Sequence, residues 1–112
     1  MTEKKNLLVI IASGEREKVL TAIMYALNTA KYGWLGDVKV MFFGPSEKLL
    51  INDEEVGLEA QNLATQMEPI ACKFLSDRDE ISSKIDELGI TVDYVGSKIA
   101  DLVNEGYVPM VW

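Results

Sequence analysis

The chain has 112 residues, of which 48% are hydrophobic and 26% are charged, and its net charge at pH 7 is −7. This length and composition predict a single globular domain spanning residues 1–112, with enough apolar residues for a core of its own. The acidic balance argues against a nucleic-acid partner, because no basic surface is available to meet a phosphate backbone.

No stretch of the sequence predicts a membrane span. The longest apolar run is Leu7 to Ala12, far shorter than the roughly 20 residues that cross a bilayer. Lys4-Lys5 before this run resembles the start of a signal peptide, but the run is short and leads into charged residues instead of a small-residue cleavage site. The sequence therefore favours a cytoplasmic protein with no membrane partner, and its single cysteine excludes an internal disulfide.

The first half of the chain predicts two buried strands around one helix. Asn6 to Ser13 forms a continuous apolar strand pattern, and a helical pattern then runs up to about Tyr32, where Gly33 ends it. A second strand is predicted at Val38 to Phe43. The cluster Leu49-Leu50-Ile51 that follows is interpreted as part of a connection, either packed under a loop or placed in a subunit contact.

The next segment predicts a helix followed by the strand that carries the cysteine. Asn52 and Glu55 resemble a capping box for a helix that continues to Met67. The third strand is predicted at Ile70 to Leu75, with Cys72 near its middle.

The last third of the chain repeats the alternation of helix and strand. Ser76 or Asp77 is predicted to cap a third helix that ends at Gly89. A fourth strand at residues 90–95, a short helix and a final strand at residues 107–112 complete the order βαβαβαβαβ. This order predicts an α/β fold in three layers, α/β/α, with a mostly parallel five-stranded sheet.

In such a sheet, reactive groups collect at the carboxyl ends of the strands. The loops predicted at that edge contain no phosphate-binding glycine motif, and they are Ser13-Gly14-Glu15, Gly44-Pro45-Ser46, Ser76-Asp77 and Gly96-Ser97. The chain has no histidine, which removes Ser/His and Cys/His pairs and most zinc sites. The sequence thus predicts neither a cofactor nor a metal site, and its carboxylates near helix starts are interpreted as capping and solubilising groups.

Cys72 is the one residue for which a functional role competes with a structural one. Buried cysteines usually pack as small apolar side chains, and Cys72 lies between Ile70 and Phe74. Alternatively, it lies at the rim of the sheet as a nucleophile that carries sulfur as a persulfide. Lys73 favours a thiolate at this position, whereas Asp77 and its acidic neighbours oppose it. A sulfur carrier tolerates this balance because its partner can supply the activation.

The chain resembles the DsrE/DsrF-like family of sulfur-relay proteins over nearly its whole length. The resemblance rests on order and spacing of several segments: Leu7 to Ala12, Val40 to Gly44 with Leu49-Leu50, Ile70-Ala71-Cys72, and Leu88 through Val95-Gly96 to Tyr107 followed by an apolar final strand. The segment after the cysteine, Lys73 to Asp79, is more charged than the small loop of many members.

The resemblance implies a flavodoxin-like three-layer fold that assembles into homotrimers or homohexamers. It also implies that Cys72, at the position of the family's reactive cysteine, passes sulfane sulfur between donor and acceptor proteins such as TusA-like carriers. The competing interpretation is a non-catalytic oligomeric interaction module. In that case Cys72 belongs to the core, and Leu49 to Ile51 and Tyr107 to Trp112 face partners.

Overall fold

The computed structural model describes residues 3–112, in which strands and helices alternate along the chain. The strands are β1 (Leu7–Ile11), β2 (Val38–Phe42), β3 (Ile70–Cys72), β4 (Thr91–Asp93) and β5 (Val108–Val111). The helices are α1 (Arg16–Tyr32), α2 (Ser46–Asn52), α3 (Glu54–Gln66), α4 (Lys73–Arg78), α5 (Ser82–Glu87) and α6 (Gly96–Asn104).

The five strands form one sheet in the order β4-β3-β2-β1-β5, and every neighbouring pair is parallel. The chain steps outward from β1 to β4 and then returns to the far side of β1 for β5. Because crossovers between parallel strands are right-handed, this reversal places α6 on the opposite face from α1, α2, α3 and α5. The predicted three-layer, flavodoxin-like α/β fold is therefore confirmed.

The first face of the sheet carries the main core. Alternate residues of the central strands point to this side, as the pleat requires, and four helices cover them. Phe42 is completely buried there, together with Val9 of β1 and Ala71 of β3. The covering apolar residues come from α1, α2, α3 and α5, and include Ile23, Leu50, Leu63 and Ile85.

The second face carries a smaller apolar cluster. Its buried members are Leu8, Met41, Cys72 and Val95, and half-buried residues of α4 and α6 pack against them. α6 contains no buried residue at all. The second face is therefore covered more thinly than the first, and Cys72 lies on this thinly covered side.

The prediction of a third strand from Ile70 to Leu75 is wrong beyond its first half. β3 ends at Cys72, which is paired with Asp93, the last residue of β4, and α4 begins at Lys73. The strand stops where the neighbouring strand stops, because further residues would have no ladder partner. An ion pair between Lys73 and Asp77, four residues apart, supports the helix instead.

Two helical predictions are also corrected. The single third helix from Ser76 or Asp77 is replaced by α4 and α5, with a break at Glu80, whose φ of 58° is left-handed. The cluster at residues 49–51 lies in α2, with Leu50 buried against the core. α3 is capped by Asp53 instead of Asn52, because the Asp53 carboxylate accepts a hydrogen bond from the amide of Val56 at 3.1 Å.

The glycines predicted to end helices do so. Gly33 ends α1 with φ 62°, and Gly89 and Gly106 follow α5 and α6 with φ of 85° and 94°. These left-handed conformations are ones that other residues adopt at a cost. Within residues 3–112, no helix has both the length and the apolar character needed to cross a bilayer.

Candidate functional site

Cys72 lies at the carboxyl edge of the sheet, at the junction between β3 and α4. It is the last residue of β3 and the residue immediately before the first turn of α4. β3 is flanked by β2 on one side and β4 on the other. The predicted strand has Cys72 near its middle, whereas the structure has it at the strand end, at the edge where reactive groups collect in such sheets.

The thiol-bearing residue is buried. Cys72 is 6% exposed and packs with Leu8, Met41 and Val95 on the second face. Leu75 of α4 and Ile99 of α6 complete the surroundings as half-buried neighbours. Only a small fraction of Cys72 is therefore open to a reagent or partner.

The charged groups near the junction are already paired with one another. The Lys73 ammonium lies 2.5 Å from the Asp77 carboxylate, which raises the pKa of Lys73 and lowers that of Asp77. Asp77 also accepts a hydrogen bond from the Ser82 hydroxyl. Because the positive charge of Lys73 is paired with Asp77, it stabilises a nearby thiolate less than the sequence suggested.

Two large aromatic side chains lie exposed on either side of the junction. Phe74, two residues after Cys72, is 66% exposed, and Tyr94, which follows the partner of Cys72 in β4, is 56% exposed. The Lys73 ammonium is 6.0 Å from the centre of the Tyr94 ring. Exposed aromatic residues of this kind are common anchors in protein interfaces.

A groove of about 390 Å³ lies on the second face between α6 and the strands β2, β3 and β4. Its apolar lining consists of Met41, Ile70 and Leu102, which belong to the same cluster as Cys72. Its polar lining contains both charge signs, with Lys39, Glu68, Thr91, Lys98 and Asp101. The groove therefore places apolar surface and charges of both signs beside the cluster that holds the thiol.

Glu47 is a residue of the site that the sequence did not single out. It lies in the first turn of α2, has no exposed surface, and neither of its carboxylate oxygens has a hydrogen-bond partner among residues 3–112. Burial raises its pKa to about 7, and the main-chain amide of Cys72 opposes that rise from nearby, although it does not reach the geometry of a full hydrogen bond. In the sequence, Glu47 is one acidic residue at a helix start among many, so no signal distinguishes it from a solvent-exposed capping residue.

The other predicted loops at the carboxyl edge have structural roles. The Ser13 hydroxyl accepts a hydrogen bond from the Glu15 amide at 3.0 Å, and α1 has no side-chain cap. The Ser46 hydroxyl is buried and donates to the Ile11 carbonyl at 2.5 Å. Ser76 and Asp77 lie within α4 instead of a loop. In the described part of the chain, no three acidic or cysteine side chains are grouped so that they could hold a metal ion.

Comparison with known proteins finds a similarity to a solved structure. No family model and no curated protein matches the chain. A solved structure of a conserved protein of unknown function from Bacteroides thetaiotaomicron is similar, with a TM-score of 0.89 and 26% sequence identity, over 96% of this chain and 95% of that one. The similarity covers the whole architecture, so both chains share the same three-layer α/β fold.

Proposed function

We propose that the protein is a sulfur carrier that holds a sulfane sulfur on Cys72 as a persulfide. The observation that carries the proposal is the position of the only cysteine at the carboxyl end of β3, where the sheet turns into α4. The resemblance of the sequence to the DsrE/DsrF-like family supports the same role. Cys72 is thus the proposed nucleophile, and no cofactor or metal takes part.

The proposed cycle needs no oxidant or reductant beyond the two partners. The Cys72 thiolate attacks the outer sulfur of a donor persulfide, R–S–SH. The new bond joins Cys72 Sγ to that sulfur, the bond within the donor persulfide breaks, and the donor leaves as a thiolate, R–S⁻. An acceptor thiolate then attacks the outer sulfur of the Cys72 persulfide and takes it away, which regenerates the Cys72 thiolate. The electrons balance because each step exchanges one S–S bond for another.

Burial of Cys72 sets a condition on this cycle. A side chain that is 6% exposed must become accessible at least transiently for the attack. The neighbouring elements are short, since α4 has six residues and β4 has three. Short elements at a sheet edge open at lower free energy than the core. Docking of a partner on Phe74 and Tyr94 offers one way to shift α4 and uncover the sulfur.

Loading with sulfur tests the proposal directly. After incubation with a small persulfide donor and removal of the excess, intact-mass analysis is expected to find one added sulfur atom on the wild-type chain. The added mass should disappear on treatment with a thiol reductant. Cys72→Ser is expected to gain nothing. Equal gain by wild type and Cys72→Ser would show that the sulfur is held elsewhere or adsorbed.

The proposed partners are other thiol proteins, with TusA-like carriers as the donor or acceptor, and the proposed assembly is a homotrimer or homohexamer. Exposed apolar residues outside the Cys72 junction favour self-association, among them Tyr32, Trp34, Val108 and Val111. Native mass spectrometry and size-exclusion chromatography at micromolar concentration are expected to find three or six chains. A monomer at high concentration would contradict this assembly.

A second candidate function is a non-catalytic interaction module. The observation that favours it is the packing of Cys72 among Leu8, Met41 and Val95, as a small apolar side chain would pack. This candidate predicts a thiol that does not react in the folded protein and a Cys72→Ala variant destabilised by the cavity that it leaves. Titration of the native protein with a thiol reagent separates the two, because the sulfur carrier predicts a reactive Cys72.

A further inference from the structure

The groove on the second face, between α6 and the strands β2, β3 and β4, is a feature that the proposed cycle does not use. Its volume of about 390 Å³ lies within the range of small-molecule sites in proteins, roughly 300–1,000 Å³. It lies toward the amino ends of the strands, because Ile70 and Thr91 are the first residues of β3 and β4. Cys72 belongs to the same apolar cluster, but it is at the other end of β3 and is not among the residues that line the groove.

Three apolar side chains form the floor of the groove, and we call them the apolar floor. Met41 of β2 is 2% exposed, whereas Ile70 of β3 and Leu102 of α6 are only half-buried. α6 has no buried residue, so this helix covers its side of the sheet incompletely. A molecule with an apolar body would remove this remaining surface from water, which is favourable.

The two lysines that line the groove are each paired with an aspartate outside it. The ammonium of Lys39 lies 3.5 Å from the carboxylate of Asp37. The ammonium of Lys98 lies 3.6 Å from the carboxylate of Asp93. The positive charges of the groove are therefore largely compensated by the protein itself.

The two acidic residues that line the groove have no such compensation. Glu68 precedes β3 and Asp101 lies in α6, and both are exposed. Neither carboxylate forms a salt bridge with another residue in the range 3–112. The groove thus attracts positive charge, and the net charge of −7 on the whole chain acts in the same direction.

We propose that this groove is a binding site for a small organic amine, a molecule with an apolar body and a protonated amino group. The apolar body covers the apolar floor, and the carboxylates of Glu68 and Asp101 attract the ammonium group. The hydroxyl of Thr91, also in the lining, can accept a hydrogen bond from the same group. The site goes beyond the proposed sulfur carrier, because it adds a ligand at the end of the sheet away from the thiol.

Titration of nitrogen-15-labelled protein tests the site, with 4-phenylbutylamine as the probe and 4-phenylbutyrate as its negatively charged counterpart. We expect the amide signals of the groove residues to shift, and the amine to bind about three- to tenfold more tightly than the acid. The preference is modest because ion pairs that stay exposed to water are weak. In about 0.5 M NaCl it should shrink to less than about twofold, because salt screens these charges.

A double variant, Glu68→Gln with Asp101→Asn, is expected to lose the preference, so that amine and acid bind within about twofold of each other. The matched control is Glu59→Gln with Glu87→Gln, which removes two exposed carboxylates outside the groove and changes the net charge by the same amount. This control should keep the preference. All four residues are exposed, so both double variants should fold as wild type does.

Several results would overturn the proposal. They are equal binding of amine and acid to wild type, an unchanged preference in the groove variant, and no shift of groove signals up to about 10 mM amine. Tighter binding of acetyl-Leu-Lys-amide than of the amine would assign the groove to a segment of a partner protein instead. Groove signals that move on dilution without any amine would assign it to a second copy of the chain.

The titration involves neither the thiol nor a sulfur donor, so its outcome is independent of the proposed function. A protein that binds the amine but never gains sulfur would refute the carrier role alone. A protein that loads sulfur but has no preference for the amine would refute the amine site alone.

Discussion

Glu47→Gln is expected to become more stable relative to wild type as the pH rises from about 5 to 8, by about 2–3 kcal/mol in the free energy of unfolding. The pKa of Glu47 is raised from 4.5 to about 7 in the folded protein, chiefly by burial. Between these values the folded chain keeps a proton that the unfolded chain releases. Each added pH unit in that window therefore favours unfolding by about 1.4 kcal/mol in wild type.

Glu47→Gln does not show this loss of stability with rising pH, because glutamine does not titrate. The stability that the protonated carboxyl group retains is fully present below about pH 4.5 and is lost as the pH rises through about 7. Urea denaturation at several pH values measures the difference, with Glu59→Gln as the exposed control. Asp53, Asp77 and Asp79 have lowered pKa values, so their contribution has the opposite sign and is lost only in acid below about pH 4. Parallel stability curves for wild type and Glu47→Gln would contradict the prediction.

Phe42→Ala is expected to lower the free energy of unfolding by about 3–5 kcal/mol, the usual cost of removing a buried aromatic ring from a core. Phe42 is completely buried, ends β2, and pairs with Ile11 of β1 and Ala71 of β3. Its ring lies on the first face, among side chains from several covering helices. The cavity would form in the centre of the main core, where packed neighbours cannot close it fully.

Phe74→Ala is the matched control for this substitution. The same ring is removed, but from a position that is 66% exposed, so the change should be below about 1 kcal/mol. Chemical denaturation of both variants at one pH gives the comparison. Equal losses for the two variants would mean that the first face is not the principal core.

The strands could be predicted because their residues carry the pattern of a sheet covered on both faces. β1 is a run of five apolar residues, which fits a central strand with helices above and below it. The ends of α1, α5 and α6 were signalled by glycines that adopt left-handed conformations. The predictions from these local signals are confirmed because tertiary packing favours the same strands and helix ends.

The environment of Cys72 could not be predicted because it depends on the lengths of neighbouring strands. Phe74 and Leu75 continue an apolar pattern that suits a strand, yet β3 ends at Cys72, where its pairing with β4 ends. The thiol consequently lies at the end of its strand and not near the middle. It is buried among residues distant in the sequence, including Leu8 of β1 and Ile99 of α6, whose contribution is not visible in the sequence around Cys72.

The burial of Glu47 could not be predicted for a related reason. Asp53 and Glu47 are both acidic residues at helix starts, but Asp53 caps α3 whereas Glu47 is buried without a hydrogen-bond partner among residues 3–112. The difference arises because Glu47 lies among α4 and the end of β3, elements that come 25 or more residues later in the chain. Contacts of such sequence separation leave no mark on local composition.

The proposed function depends most directly on whether Cys72 gives sulfur up as well as holding it. The measurement is a single-turnover transfer, in which protein loaded with isotopically labelled sulfur is freed of donor and mixed with a small acceptor thiol. We expect the label to leave the protein, to appear as the acceptor persulfide, and to return Cys72 to its unmodified mass. Label that stays on the chain, or that loads equally on Cys72→Ser, would contradict the carrier role.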